Sequence, residues 1–544
     1  MTKYTPSRPL PNDMALPSSF SYESYWSDFD VADDDLDAIY NLLLEREIPL
    51  TTYEMAETLI AHRLERLEEE AQQAAGTGHD VYLPGESYKI GQTLVFPAIG
   101  NAVGEVVGIR EGENPDLGTF EVIKVDFDGE EQQREFAAKL EDHILNRPAE
   151  PESDGDSLES VEGVLNTYGS FIEERLTAKL ERVEDIVRIA GKWFPRALLA
   201  DINVGHLNLA EAALDVADGG PLPTKELLAH IEKPAAIDPA LMEFSVDYAL
   251  QEDDRFDEVG PAGQVLWFLK RLEPAEVLYP PPRLESQHPL VNRSVLSEEL
   301  LDLERKLDDE LSPFEPVEPH ADEVTFPVLF PHWRVGALPL SARLQPLFPT
   351  AYEAPRIRFV LVDGYSGEKF PGWVVREEKY VLGLDEWYRK YDVPSGGLIK
   401  VRKGDQSGEV IVETVHRHQS NDWIRTVTID EGGQIGFTML KQPIGTAYDE
   451  LMVVGLIDPV ALDEAWLKGN QRSMPIDRLV AHVFRELAKL TPQSAVHAKS
   501  LYACVNVIRR LPPVVVFSEL VTRPYYIHVG DLYWRFEPDA WSAS

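Results

Sequence analysis

One punctuation signal occurs twice in this chain and constrains the architecture around it. Pro49-Leu50-Thr51-Thr52-Tyr53-Glu54-Met55 returns as Pro221-Leu222-Pro223-Thr224-Lys225-Glu226-Leu227. Both read Pro-Leu-x-Thr-x-Glu-apolar. In each, a helix ends, the chain turns, and a Thr caps the next helix, with Glu at its positive end. At the first site Thr51 and Glu54 also stand at capping-box spacing. Two copies of one unit satisfy this pattern, and so do two capping segments alike by chance.

The residues after the second copy extend the pattern. Asp238-Pro239 is an N-cap and N1 pair that opens a helix through about Leu250. Arg255 to Val259 reads as a short strand, Gly260-Pro261-Ala262-Gly263 as a turn, and Val265 to Leu269 as a returning apolar strand. With a helix near Leu207 to Val216, the order is helix, helix, helix, hairpin, which is the order of a winged helix. The C-terminus repeats it. Pro475 opens a helix with Leu479, Val480, Val483, Phe484 and Leu487 on one face. Thr491-Pro492 caps a second helix through about Arg510, and Tyr525 to Val529 and Leu532 to Phe536 flank the hairpin signal Gly530-Asp531.

A chain of 544 residues exceeds what one core supports, roughly 250–300 residues, so three to five domains are expected. Hydrophobic residues make up 44%, enough for folded domains. The expected fold class is multi-domain α+β: winged-helix modules, a small SH3-like barrel and a larger β-rich, pseudobarrel-like domain. The expected boundaries are a flexible acidic, Pro-rich tail at 1–30, a helical, partly winged-helix-like module at 31–82 and the barrel at 86–146. A linker follows at 147–160 and the middle winged helix at 161–275. A Pro-rich linker with a short helix occupies 276–322, the β-rich domain 323–458 and the C-terminal module 459–544. The barrel shows as Val95, Val103, Val106, Val107, Ile109, Val122, Ile123 and Val125 in short runs among glycines. In the second linker, Pro313, Pro316 and Pro319 favour extended polyproline II, as a stiff spacer or a PxxP ligand.

The charge narrows the function. Fifty-one basic residues stand against 94 acidic ones, a net charge of −43 that repels nucleic acid over most of the surface and favours basic protein surfaces as partners. Solubility or adaptation to a salty or hot environment also accounts for it. The single cysteine, Cys504, sits in an apolar helical context and reads as a buried thiol. With no signal core near the N-terminus and no apolar run near the roughly 20 residues of a membrane helix, the expected location is cytoplasmic, without membrane contact.

No phosphate loop, dinucleotide fingerprint, zinc-protease or nucleophile-elbow motif occurs, so no catalytic residue, cofactor or metal is assigned and a non-enzyme is expected. Three weaker constellations remain. His416 and His418, two apart on a strand, share a face near Asp422, as a metal pair or a solvated face. Asp126 and Asp128 before Gly129 read as a magnesium pair or a hairpin end. Asp363 followed by Glu377-Glu378-Lys379 resembles the Asp…Glu-x-Lys nuclease signature, although Glu378 stands where an apolar residue is usual.

The middle module's third helix carries Glu243, Asp247, Glu252, Asp253 and Asp254 and no Lys or Arg, which suits DNA poorly. The C-terminal module has Lys499, Arg509, Arg510, Arg523 and Arg535, the candidates for a weak DNA contact. Pro221-Leu222-x-Thr224-x-Glu226-Leu227-Leu228 and Asp254-Arg255-Phe256 resemble the HARE-HTH winged helix of the RNA polymerase delta subunit. That resemblance implies a protein-contacting or DNA-adjacent module without catalysis. Tyr88 to Pro97 and Gly104 to Ile109 resemble a CarD- or Tudor-type barrel; CarD-type domains grip RNA polymerase. Gly383 to Tyr388 with Val393 to Gly397 resembles B3-type pseudobarrels but lacks their Asp. Together they imply a non-enzymatic regulator beside the transcription machinery, RNA polymerase among its partners. The alternatives are a metal-dependent nuclease, an adaptor of a restriction or defence system, and a scaffold without a nucleic-acid role.

Overall fold

The computed structural model describes residues 22–75, 80–96, 102–112, 120–127, 133–140, 143, 160–231, 237–316, 319–406 and 408–541. They form a mixed α+β chain with several separate sheets. One compact unit runs up to Arg188 and includes Lys192–Leu199; the other holds Ile189–Gly191 and Ala200–Ser544. Among the described residues no helix is long and apolar enough to cross a membrane.

One arrangement recurs three times: helix, short strand, helix, helix, hairpin. The first copy uses Asp33–Arg46, Leu50–Thr51, Thr52–Ala75, Val161–Leu180, and the hairpin Ile186–Ile189 with Lys192–Pro195. The second uses Val204–Val216, Leu222–Pro223, Thr224–Leu227, Pro239–Gln251, and Phe256–Glu258 with Leu266–Leu269. The third uses Ile476–Ala488, Ala495–His497, Ala498–Ile508, Pro513–Thr522, and Tyr526–Gly530 with Tyr533–Phe536. In every copy the hairpin's last strand lies between its first strand and the short strand. A tryptophan on that central strand faces the short strand: Trp193 opposite Leu50, Trp267 opposite Leu222 and Trp534 opposite Val496.

The repeated Thr has a partner in this geometry. The Trp193 indole N–H donates to the Thr52 hydroxyl at 2.9 Å. The Trp267 indole donates to the Thr224 hydroxyl at 3.1 Å and to the Asp247 carboxylate at 2.9 Å, and the Thr224 hydroxyl itself donates to Asp247. Asp247 is therefore a buried acceptor and not part of a surface acidic face. In the third copy the equivalent residue is Ala498, and the Trp534 indole has no partner among the described residues.

Several boundaries differ from those read in the sequence. A five-stranded sheet spanning Asp80–Val81 to Arg134–Ala138 is inserted between the second and third helices of the first copy. It encloses its own core of Tyr82, Tyr88, Leu94, Phe96, Val106, Ile123, Val125 and Phe127. Residues 161–195 thus complete the first copy, and the middle one starts at Val204. The expected tail folds from Tyr22, because Trp26 and Phe29 are buried. Residues 1–21, most of the 147–160 linker and Asp128 lie outside the described residues. The single C-terminal helix expected to end near Arg510 starts only at Ala498, after a strand, and Pro512-Pro513 opens a separate helix after it.

A curled seven-stranded half-barrel carries the rest of the second unit. Its strand order is Glu323–Pro327, Leu398–Lys403, Glu409–Thr414, Arg356–Asp363, Lys369–Val375, Tyr380–Leu382, Ala337–Pro339. One pair, Arg356–Asp363 with Glu409–Thr414, is parallel. A long two-stranded ribbon, His416–Ile429 with Ile435–Thr446, continues from it. The hairpin of the middle repeat packs on this half-barrel: Val259 and Phe268 share a buried cluster with Trp373, Val375 and Tyr380. Residues 276–316 are not a free linker. Ser297 caps the helix Glu298–Leu307, whose Leu300 and Leu303 join the core of the third repeat.

The Trp–Thr–Asp network gives a direct test. Thr224→Val removes both the acceptor for Trp267 and a donor to buried Asp247, so it costs about 1–3 kcal/mol in denaturant unfolding. Ala498→Thr, which supplies the missing hydroxyl in the third repeat, is neutral or stabilising. A neutral Thr224→Val would remove the network from the account of stability.

Candidate functional site

The C-terminal repeat holds the cations that the sequence nominates, and the structure shows what each one does. Arg510 is not at the surface. Its side chain is 0% exposed, with Nη2 2.6 Å from both Asp309 Oδ1 and Glu310 Oε1. Its Nη1 donates to Asn506 Oδ1 at 3.1 Å and to the Leu511 carbonyl at 3.0 Å. The Tyr502 hydroxyl donates to Asp309, and His332 Nε2 lies 3.2 Å from Glu310. Burial alone would raise the Glu310 carboxyl, but Arg510 and the His332 ring hold it well below the usual carboxylate range. The cluster joins the segment after Leu303, the half-barrel's helix Phe330–Val335 and the helix Ala498–Ile508. Its charges are satisfied internally, so it holds elements together and presents nothing to a phosphate.

The other four nominated residues do not gather into one open patch. Lys499 lies 2.5 Å from Asp449 and is 19% exposed. Arg509 donates to the backbone carbonyls of Gln287 at 2.5 Å and Met474 at 3.4 Å. Arg523 pairs with Glu519 one helical turn away at 2.8 Å. Arg535 stands exposed on the hairpin strand, opposite Ile527. Cys504 is buried, and burial pushes its thiol up to about 11.

The nuclease signature is taken apart by strand register. Val362 pairs with Lys369 and Arg356 with Val375, so Asp363 and Glu377 sit at opposite ends of one hairpin. That places them roughly 25 Å apart at the rise of a strand. Glu377 and Glu378 lie exposed in the turn before Tyr380, and the Lys379 amine points to the Glu310 carbonyl at 3.4 Å.

Asp363 instead organises a different group. Its carboxylate accepts from Lys390 Nζ at 2.7 Å, the Tyr391 hydroxyl at 2.6 Å and the Ser366 hydroxyl at 2.7 Å. Burial would raise the Asp363 carboxyl, but these donors hold it well below its ordinary value. Lys390 also lies 3.3 Å from Ser366, a serine–lysine proximity that invites a nucleophile reading. Its amine is held above the ordinary lysine range by Asp363 and Glu368. Those two carboxylates favour its protonated ammonium form.

Neither carboxylate–histidine pair assembles a metal site. Asp422 is engaged by Tyr448 at 2.8 Å, Ser420 at 2.9 Å and Arg417 at 3.1 Å, and the His416 ring lies 4.3 Å from Tyr365. Among the described residues no group of three His, Cys, Asp or Glu side chains is placed to hold a metal. A concavity of mixed lining, about 460 Å³, lies between the half-barrel and the ribbon, with Trp333, Arg334, Tyr388, Arg389, Ser395 and Gln442 in its walls. It has the size of a small-ligand pocket. Both of its guanidinium groups are already paired, Arg334 with Asp463 and Arg389 with Asp385.

Compared with family models, curated proteins and solved structures, the chain matches none.

One feature of the second unit left no mark in the sequence. Glu273 is 0% exposed at its side chain, and neither carboxylate oxygen has a hydrogen-bond partner among the described residues. Arg356 lies 3.5 Å away but is committed to Asp257 at 2.6 Å. Burial, and then Asp257, push Glu273 up to about 8. Burial likewise pushes Glu258, which accepts from the Gly260 N–H, up to about 8. Both are raised above the ordinary 4.5, so the folded chain binds protons that the unfolded chain has released. Their stabilisation is complete below about 4.5 and is lost as pH rises through about 8. Thermal melts of the full chain should therefore show Tm falling between these limits, and Glu273→Gln should flatten that fall. An unchanged slope in the variant would place the titration elsewhere. For the ion cluster, Arg510→Ala removes the guanidinium from two buried carboxylates, leaving Asp309 with Tyr502 and Glu310 with His332, and costs about 3–5 kcal/mol in denaturant unfolding.

Proposed function

We propose that the chain is a non-enzymatic, multi-domain binding protein that regulates transcription by contacting basic protein surfaces, RNA polymerase among them. In this reading the three repeats are winged-helix modules, the middle one of HARE-HTH type. The inserted five-stranded sheet is an SH3-like barrel of CarD or Tudor type, and the protein works in the cytoplasm.

One observation carries the proposal: the third helix of the last repeat and the hairpin of the middle one are occupied by intramolecular packing. The third helix of the last repeat buries Pro513, Val514, Val515, Val516, Phe517 and Leu520. The middle hairpin is pressed onto the half-barrel, and its neighbouring Asp253 is tied to Arg255 at 2.8 Å. Four of the five nominated cations serve ion pairs or backbone carbonyls. With a net charge of −43 the chain exposes an excess of carboxylates; Asp33 and Asp34 are 94% and 78% exposed even while paired with Lys179 and Arg66. Such a surface steers basic partners and repels phosphate. The hairpin register separates Asp363 from Glu377, so these two residues lend the nuclease alternative no support.

Affinity purification from the native cell, with and without nuclease, tests the proposal. RNA polymerase subunits retained after nuclease treatment and released by raised salt are the expected result; recovery of neither polymerase nor DNA overturns it. Lys499→Ala with Arg509→Ala should lower stability and leave partner recovery intact.

A further inference from the structure

The ribbon His416–Ile429 with Ile435–Thr446 departs from the charge of the rest of the chain. Acidic residues outnumber basic ones 94 to 51 overall, yet the ribbon's strands hold Arg417, Arg425, Lys441, His416 and His418 against one carboxylate, Asp422. Strand register sorts these residues by face. Asn421 pairs with Pro443, Trp423 with Lys441 and Arg425 with Met439, which puts them on one face; Ile424, Thr426, Gln442 and Ile444 share the other. The second face is core, with Ile424 and Ile444 buried against Val453. Asp422 belongs to that side, held by Tyr448 and Ser420.

On the first face Val427, Phe437 and Ile435 are buried in the core of the third repeat, and its open end, which draws no carboxylate from the two strands but has Glu450 beside Arg417, carries an anomaly. Trp423 is 62% exposed, whereas Trp26, Trp193, Trp267, Trp373, Trp387, Trp466 and Trp534 are all buried. Lys441 lies directly across from it and, among the described residues, has no ion-pair partner. Arg425 is spent on the Glu450 carbonyl at 2.7 Å. Beside this pair the register shifts between His416 and Ser420, so that Arg417, His418 and Gln419 stand out of the ladder, all exposed. Arg417 is held by Asp422 at 3.1 Å and lies over the Tyr448 ring, yet its side chain is 44% exposed.

We propose that this ribbon face binds single-stranded nucleic acid, with a base stacked on Trp423 and phosphates met by Lys441 and the Arg417–His418 bulge. An exposed indole beside exposed cations is the combination that single strands use, because every base has a π-face and every linkage a charge. The charge argument selects the same partner. On a chain of net charge −43, a polyanion is favoured only where basic side chains locally outnumber carboxylates, as they do on this ribbon. A duplex keeps its bases stacked away from the indole, and an acidic polypeptide satisfies the cations but leaves Trp423 unused. The site lies outside the C-terminal repeat, so it is independent of the protein-binding role proposed above.

Fluorescence anisotropy of a labelled thirty-nucleotide oligothymidine with the full chain tests this at low salt. Binding should weaken with a log–log salt slope of about −2, as expected for roughly three phosphate contacts on a single strand. Trp423→Ala and Lys441→Glu should each weaken it about tenfold or more, and Trp423→Phe should keep it within about threefold. Arg535→Ala should leave it unchanged. Melting curves identical to the parent chain would show that these exposed substitutions leave the fold intact. Absence of binding at low salt, or equal affinity for Trp423→Ala, overturns the proposal. Equal competition by a duplex of the same length or by polyglutamate also overturns it, and assigns the face to a general polyanion or an acidic protein. A chain that retains polymerase but ignores the oligonucleotide refutes this site alone.

Discussion

The second unit depends on a buried guanidinium. Arg510 ties Asp309 and Glu310 to the helix that carries Tyr502 and Asn506, and Glu310 reaches on to His332. Three parts of the chain meet at one charge. Removing water from these groups costs several kcal/mol per ion, and the cost is recovered only if all partners arrive together. That makes the arrangement selective: the segment 296–316 has one register in which both carboxylates find the guanidinium. The apolar contacts of Leu300 and Leu303 with Val514, Val515 and Phe517 in the same core supply the driving force, and the ion cluster supplies the alignment.

The same cluster explains a limit of sequence reading. Arg510 looks like a surface cation because its partners lie 201 and 200 residues away. No local pattern links them. Asp309-Glu310 sits in a Pro-rich stretch that reads as a spacer, and only the Ser297 cap with Leu300 and Leu303 at helical spacing hinted at burial. By contrast, elements governed by near neighbours were legible. The Asp238-Pro239 helix start, the Leu479 to Leu487 apolar face and the Gly530-Asp531 hairpin all appear in the structure. Capping and periodicity act over one or two turns, so they survive in the sequence. Assigning the helix Val161–Leu180 to the first repeat required knowing its partner, the helix Thr52–Ala75, beyond a whole inserted sheet. The candidate site fared worse than the fold. The cations nominated from the sequence are mostly committed internally, whereas Trp423 and Lys441 become neighbours only through ribbon register.

Two kinds of buried polar group coexist in this molecule. The Trp–Thr pairs of the first two repeats are neutral and fully matched, and they fix where the short strand meets the hairpin. Glu273 is the opposite case, a carboxylate left without a donor beside an arginine already committed elsewhere. The Trp193–Thr52 pair holds no carboxylate, whereas Trp267 and Thr224 both also donate to Asp247. Glu273 ties the packing of the middle repeat on the half-barrel to proton activity.

The inserted sheet has a consequence for synthesis. The hydrogen bond between Thr52 and Trp193 joins residues 141 apart in sequence. At translation rates of about 5–20 residues per second, the first repeat waits roughly 7–28 s between making its short strand and making the strand that closes it. Within that interval the inserted sheet is completed, with a core that borrows nothing from its host. The apolar faces of the helices Asp33–Arg46 and Thr52–Ala75 meanwhile have no hairpin to pack on. The nascent chain thus carries the complete inserted sheet flanked by an unfinished repeat. This window exposes it to chaperones on the ribosome, and a pause in translation there would be felt by the N-terminal unit first.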